Sequence, residues 1–297
     1  MGEYQYVTYE EIDDAKIVRI LLNRAEARNA QNRGLLVDLD HAFAEAEADD
    51  RVRVVILGGV GPMFSAGHDM GSEVSLREMA PGPDQHPTAR INGGTRGAAE
   101  QRMLQEWHYY FQNTLRWRNL RKITIAQVHG PVYAAGLMLM WACDLIVASD
   151  DTVFADVVGT RLGMCGVEYF AHPFELGPRK TKELMLTGDS IDVHEAHQIG
   201  MVSKVFPRDE LSERTLDFAR RIAERSTMTA LLIKDSVNQA QDNMGFYNAL
   251  QHGFHIHELN HAHWAEANGD GYPAEKIDWR NAPKVMPAIK DQAAARP

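Results

Sequence analysis

Apolar residues recur along this chain at two spacings, and the switch between them marks where strands end and helices begin. Val7-Thr8-Tyr9-Glu10 and Ile17 to Leu22 flank Asp13-Asp14, which predicts an opening hairpin. From Gln31 to Ala48, Leu35, Leu36, Leu39, Phe43 and Ala46 fall at three- and four-residue steps with acidic residues between them, the spacing of a helix with one buried face. Val52 to Leu57 is then a short continuous apolar run, a strand. Strand, helix, strand predicts an α/β core with crossover connections. Ala98 to Arg118 predicts a further helix with Met103, Leu104, Trp107, Phe111 and Leu115 inward, followed by a strand over Ile123 to Val128, a helix ending near Trp141, and short strands at Asp144 to Ala148 and Val153-Phe154. From residue 178 the pattern turns helical: Pro178 to Leu186, Val193 to Ile199, Asp209 to Arg225, Thr227 to Gln241 and Gly245 to Trp264, with Gly188 and Gly200 as caps. Residues 71–97 carry Pro81, Gly82, Pro83, Pro87, Gly93, Gly94 and Gly97, which disfavours regular structure and suits a mobile loop near a site. The expected division is an α/β core over 1–200 holding the active site and a helical region over 201–297.

Two segments stand out within this pattern. Leu57-Gly58-Gly59-Val60-Gly61-Pro62-Met63-Phe64-Ser65-Ala66-Gly67-His68-Asp69 and Ile125 to Gly130, running on through Ala134-Ala135-Gly136 to Cys143-Asp144, each read as a buried strand that stops at small residues and turns into a helix. Such turns leave backbone N–H groups unpaired, and two facing turns can hold a carbonyl oxygen acquiring negative charge, an oxyanion hole.

Composition narrows the partners. The 297 residues, 44% apolar, suffice for a large buried core, and the formal net charge of −10 disfavours a broad nucleic-acid or anionic-membrane surface while leaving room for a local basic patch toward a phosphorylated small molecule. The longest apolar stretch, Val132 to Cys143, has 12 residues, short of the roughly 20 that span a bilayer. Cys143 and Cys165 are the two cysteines, too few for a disulfide framework, and the N-terminus lacks the pattern of a secretory signal, so a cytoplasmic location is expected.

The motifs Asn23 to Ala30, Phe64-Ser65-Ala66-Gly67-His68-Asp69, Gln127-Val128-His129-Gly130, Cys143-Asp144, Leu186-Thr187-Gly188-Asp189 and Gly200-Met201-Val202, in this order over about residues 5–265, resemble the enoyl-CoA hydratase/isomerase, or crotonase, superfamily. The resemblance implies an α/β spiral of ββα units with a C-terminal helical trimerisation region, often paired into hexamers, that also covers the active site. It implies a coenzyme A thioester as substrate with no tightly bound cofactor, no metal, no nucleic acid and no membrane. It assigns the backbone N–H groups of His68 and Ala135 to the oxyanion hole. It places Ala27, Arg28, Ala30 and Ala66 along the nucleotide end of coenzyme A, with Arg24 and Arg28 as charged donors to its phosphates.

The chain departs from the family where proton transfer should occur. Hydration of an enoyl thioester needs oxygen at C3 and a proton at C2, which the well-studied hydratases supply with two glutamates. The resemblance carries those positions onto Met138 and Val158, neither of which transfers protons. Glu168, beside Val167, Tyr169 and Phe170, is the preferred replacement acid/base, with Asp156 as the other candidate. His172 either assists or packs, and Asp69 reads as a turn former. Met138, Met140, Trp141 and Val158 suggest an apolar pocket wall. His252, His255, His257, His261 and His263 form a cluster read as an interfacial or solvated face, although His257 and His261 have the spacing of a helical metal pair. The expected function is enoyl-CoA hydration. The alternatives are another reaction of the superfamily (decarboxylation, thioester hydrolysis or C–C hydrolysis) and acyl-CoA binding without turnover.

Overall fold

A computed structural model describes residues 4–79 and 99–268. The hairpin is present as β1 (Val7–Ile12) and β2 (Ile17–Leu22), closed by Asp13, Asp14 and Ala15 at positive φ. Then come β3 (Val54–Gly59), β4 (Ile123–Val128), β5 (Pro131–Tyr133), β6 (Leu145–Ser149), β7 (Val153–Ala155), β8 (Ile191–Asp192) and β9 (Lys204–Phe206). The main sheet runs β1-β2-β3-β4-β6-β9, antiparallel only at its first pair, and β5, β7 and β8 form a small second sheet.

Both faces of the main sheet are covered, which is why its strands read as near-continuous apolar runs. One row across four strands, Ile20, Leu57, Ala126 and Ile146, packs into the larger core with Leu35, Leu36, Leu39, Phe43 and Ala46 of the helix Arg33–Ala48. On the other face Ile56, Ile125 and Val147 meet the helix Leu211–Ala223 through Leu211 and Ala219. Lys234, buried on the helix Thr227–Asn243, donates to the Lys122 carbonyl and to Asp144 Oδ2, each at 3.0 Å. Asp144 also accepts from the Thr124 backbone N–H, so the Cys143-Asp144 motif pins the start of β4, the approach to β6 and a late helix at one point.

Two expectations need correction. The run 71–97 is not wholly irregular, since Glu73–Met79 is helical; residues 80–98 lie outside the described residues. The second concerns the segment before β4, where a π-helical stretch, Glu106–Gln112, interrupts α-helix between Ala99–Gln105 and Asn113–Arg118. Widening the turn rotates the following side chains away from the 3.6-residue register. Trp107, expected inward, is 36% exposed, whereas Glu106, Tyr109 and Phe111 are buried.

A cleft of about 480 Å³ lies between the helix Thr227–Asn243 and the core, bordered by Trp141, Glu175, Lys234 and Phe246. Burial pushes the Glu175 carboxyl up to about 7. A carboxyl that binds its proton more tightly in the folded state adds stability below about pH 4.5 and loses it as pH rises through 7. Glu175→Gln is therefore expected to stabilise the protein by about 1–3 kcal/mol at pH 8 and by almost nothing at pH 4. Thermal unfolding of both proteins at the two pH values checks this, and equal shifts at both would refute it.

Candidate active site

The two strand-to-helix turns dock onto each other through their backbones. Phe64 N donates to the His129 carbonyl at 2.8 Å and Tyr133 N to the Ser65 carbonyl at 3.1 Å, with Ser65 and Val132 paired as an isolated bridge. Small residues are required at the contact. A methyl group on Gly67, whose φ is +91°, would sit 2.9 Å from the Tyr133 carbonyl oxygen and 3.2 Å from Ala135 N; one on Gly136 would sit 2.7 Å from the Ser65 carbonyl oxygen. His68 follows the first glycine and Ala135 opens the helix Ala135–Trp141. Among the described residues neither the His68 nor the Ala135 backbone N–H donates to the protein. The geometry brings together the two turns that sequence reading selected.

The second turn holds backbone strain. Ala134 has φ 48° and ψ −120°, a region suited to glycine and costing another residue about 1–3 kcal/mol. Ala134→Gly removes that strain and adds about 0.4–1 kcal/mol of unfolded-chain entropy. A net gain of about 0.5–2 kcal/mol is expected, read as a higher urea midpoint at unchanged slope. A lower midpoint would show that the turn is not strained.

The first turn is braced by the stretch 24–31. Ala66 N donates to the Arg28 carbonyl at 3.0 Å, Gln31 N to the Gly67 carbonyl at 2.8 Å, and Asn29 Nδ2 to the Val60 and Met63 carbonyls. Ala27, Arg28, Ala30 and Ala66 thus lie side by side, with Arg28 exposed and left-handed. Arg24 differs from its expected role. Its guanidinium is buried, donating to the Ala30 carbonyl at 2.6 Å and to Asp69 Oδ2 at 2.8 Å, which commits it to the protein instead of a phosphate. Asp69 also accepts from Ser72 N and Ser72 Oγ, the turn-forming role expected of it; burial alone would raise its carboxyl, but these bonds and Arg24 hold it below its ordinary range.

Glu168 reaches the same place. It is 2% exposed, and its Oε2 lies 3.0 Å from His68 Nε2. The His68 ring stacks on Tyr110 at 3.8 Å between centroids. Asp156 follows Ala155, whose carbonyl accepts from Ala134 N at 3.0 Å, but its carboxylate is engaged: its Oδ2 pairs with His172 Nε2 at 2.9 Å and its Oδ1 accepts from Val158 N, with His172 edge-on to Trp141. Both members of that pair are almost wholly buried. Met138 and Met140 are core residues, Val158 is half-buried at a helix start, and Trp141 borders the cleft beside the helix Thr227–Asn243. Cys143 and Cys165 are free, and burial pushes their thiols up to about 12 and about 11.

Behind Glu168 lies a group that the sequence reading misplaced. His252, His255 and His263 are exposed, as a solvated face requires, but His257 and His261 are buried. His261 Nε2 lies 2.9 Å and His257 Nε2 3.2 Å from Glu106 Oε2, and His257 Nε2 lies 3.7 Å from Glu168 Oε1. Burial disfavours a charged His257, but the carboxylates of Glu168 and Glu106 outweigh it and hold its pKa up at about 10. Neighbouring Glu258 is pushed up to about 8, by burial first and by the Glu106 charge second. The i, i+4 spacing of the two histidines was the only sequence signal; Glu106 had none, because a regular helix would have turned it outward.

The family model described as enoyl-CoA hydratase/isomerase matches residues 13–88 and 88–269. EchA13 of Mycobacterium tuberculosis, whose name assigns it to the enoyl-CoA hydratases, is 65% identical over 295 residues, covering 98% of this chain and 93% of its own. The mitochondrial enoyl-CoA hydratase of Pongo abelii is 30% identical over 243 residues, 80% of this chain and 75% of that protein. Among solved structures, that of a probable enoyl-CoA hydratase from Mycobacterium smegmatis superposes with a TM-score of 0.79 at 40% identity, covering 90% of this chain and 98% of the other.

Proposed function

The chain belongs to the enoyl-CoA hydratase/isomerase family, and from that premise we propose that it adds water across the 2,3 double bond of an enoyl-CoA thioester. The backbone N–H groups of His68 and Ala135 hold the thioester oxygen as it becomes an enolate. A well-placed donor of this kind is worth about 3–4 kcal/mol. Ala27, Arg28, Ala30 and Ala66 receive the coenzyme A end, with Arg28 the charged donor; Arg24 braces the turn through Asp69.

The observation that carries the proposal is the His68–Glu168 pair. A carboxylate accepts hydrogen bonds, so Glu168 draws the proton of a neutral His68 onto Nε2 and leaves a lone pair on Nδ1. That atom is without a partner among the described residues. This is the arrangement of an imidazole general base oriented by a carboxylate. His68 Nδ1 takes a proton from water, the water oxygen bonds to C3, and the π electrons move onto the thioester oxygen. The enolate then collapses as the same proton passes to C2. One acid/base unit suffices because the proton leaving water is the one C2 requires, so apolar Met138 and Val158 at the family's glutamate positions are compatible with turnover. Asp156 and His172 position the segment around Val158.

The same reading gives residues 1–200 to the catalytic core and 201–297 to oligomerisation and site cover in a cytoplasmic homotrimer or dimer of trimers. In its support, Met228, Leu232, Ile233 and Val237 on the helix Thr227–Asn243 are each at least 55% exposed. No described helix is long and apolar enough to cross a membrane.

Crotonyl-CoA tests the proposal. Loss of the enoyl absorbance in D₂O with one deuterium at C2 and no free thiol is the expected result. Thiol release without hydration would replace the proposal with thioester hydrolysis, and calorimetric binding without turnover across a panel of acyl-CoA esters would replace it with a binding role.

A further inference from the structure

We propose that Glu106, His257 and His261 form a binding site for one divalent ion of the zinc class, independent of the hydratase reading. The three buried residues each offer one ligand atom, all within 4.8 Å of one another. Two ligands of a tetrahedral ion bound at about 2.0–2.1 Å lie about 3.3 Å apart. Glu106 Oε2 is 2.9 Å from His261 Nε2 and 3.2 Å from His257 Nε2, within a few tenths of an ångström of that separation, and the imidazole nitrogens, within 4.8 Å of each other, must close to it as an ion binds.

The tautomer of His257 points the same way. Its Nδ1 lies 2.7 Å from the Gly166 carbonyl oxygen, which can only accept, so Nδ1 carries a hydrogen. Nε2 therefore faces the carboxylate oxygens of Glu106 and Glu168, and is the atom that would offer a lone pair to an ion once its proton is displaced. Its nearest partners are Glu106 Oε2 at 3.2 Å and Glu168 Oε1 at 3.7 Å, and the side chain is only 6% exposed. In the metal-free protein a proton is the positive centre between them, and a bound ion would take that proton's place. The backbone carbonyl on the far nitrogen is the outer contact that metal-bound histidines make.

Charge supplies a third argument. Glu106 and Glu168 bring two buried carboxyl groups against the two histidines. Burying carboxylates is costly unless a cation answers them. The scaffold suits the task. His257 and His261 project from one face of the helix Phe246–Asn268, while Glu106 opens a π-helical segment, a form that concentrates at functional sites. Two imidazoles and one carboxylate select a first-row transition ion over magnesium or calcium and leave a position for water or Glu168.

Full-length protein stripped with chelator and free of thioester provides the test, so failure here leaves the His68–Glu168 assignment standing. Calorimetric titration with Zn²⁺ is expected to show one ion per chain with Kd below about 1 µM. His261→Asn and Glu106→Gln should each weaken it at least about 100-fold. The variant with the exposed His252, His255 and His263 all changed to Asn should retain it. Co²⁺ on the unaltered chain should give the intense visible bands of a four-coordinate site, a readout that does not depend on any variant folding. Binding no tighter than about 1 mM, a weak six-coordinate Co²⁺ spectrum, or affinity lost with the exposed histidines instead of His261 would overturn the proposal and leave a proton-bridged ion-pair cluster.

Discussion

Glu168→Gln is expected to lower kcat for crotonyl-CoA hydration by about 10²–10⁴ with little change in KM. The amide fills the same volume and can still meet His68 Nε2, so substrate binding persists. It carries no charge, however, and its NH₂ group can face the ring as readily as its oxygen, so His68 loses both its fixed tautomer and the counter-charge that stabilises its protonated form. His68→Asn keeps the backbone donor of the oxyanion hole and removes the imidazole, so it should cost a similar factor. The double variant should be no worse than the worse single, because residues acting as one unit give non-additive losses. A Glu168→Gln enzyme within tenfold of the parent kcat would dispose of the pair as the acid/base unit. A rise in KM alone would reassign Glu168 to shaping the binding site.

The parts of this molecule governed by local periodicity were legible in the chain. Leu35, Leu36, Leu39, Phe43 and Ala46 were assigned inward from spacing and are buried; the β4 strand has the predicted bounds; Gly188 caps its helix at φ +73°. The two turns were legible for a different reason. Strands running into Gly and Ala mark places where backbone must touch backbone, and Gly67 and Gly136 make that contact. What escaped was whatever depends on a departure from a regular period or on a distant partner. The π-helical stretch turned Trp107 out and Glu106 in, which no 3.6-residue count could foretell. Arg24 was assigned to a phosphate because nothing local shows that Asp69, 45 residues on, takes its guanidinium. His257 and His261 looked solvated because half of their helix is; their burial comes from packing against the π-helical segment, where Phe111 stacks on Phe254 at 4.7 Å. Glu168 was chosen for a tuned environment near a helix start, and its partner proved to be the ring of His68, a residue valued until then for its backbone.

Gly67→Ala puts the oxyanion hole itself to the test, and is expected to reduce kcat about 10²–10³-fold. The added methyl would lie 2.9 Å from the Tyr133 carbonyl oxygen, 3.2 Å from the Ala134 methyl and 3.2 Å from Ala135 N. All three belong to the opposing turn and two are backbone atoms, so relief requires the turns to separate, which parts the two amides that must converge on one oxygen. The left-handed φ of +91° adds about 1 kcal/mol of strain for any residue with a side chain. That cost is small against the stability of a domain of this size, and the variant should fold with a slightly lowered unfolding temperature. Its distinguishing signature is a weakened grip on enolate-mimicking thioesters while free coenzyme A, which the proposed function seats on Arg28 and its alanine neighbours, binds as before. If the variant keeps its kcat while losing stability, the contact between the turns is structural, and the charge that develops on the thioester oxygen is met by some other donor.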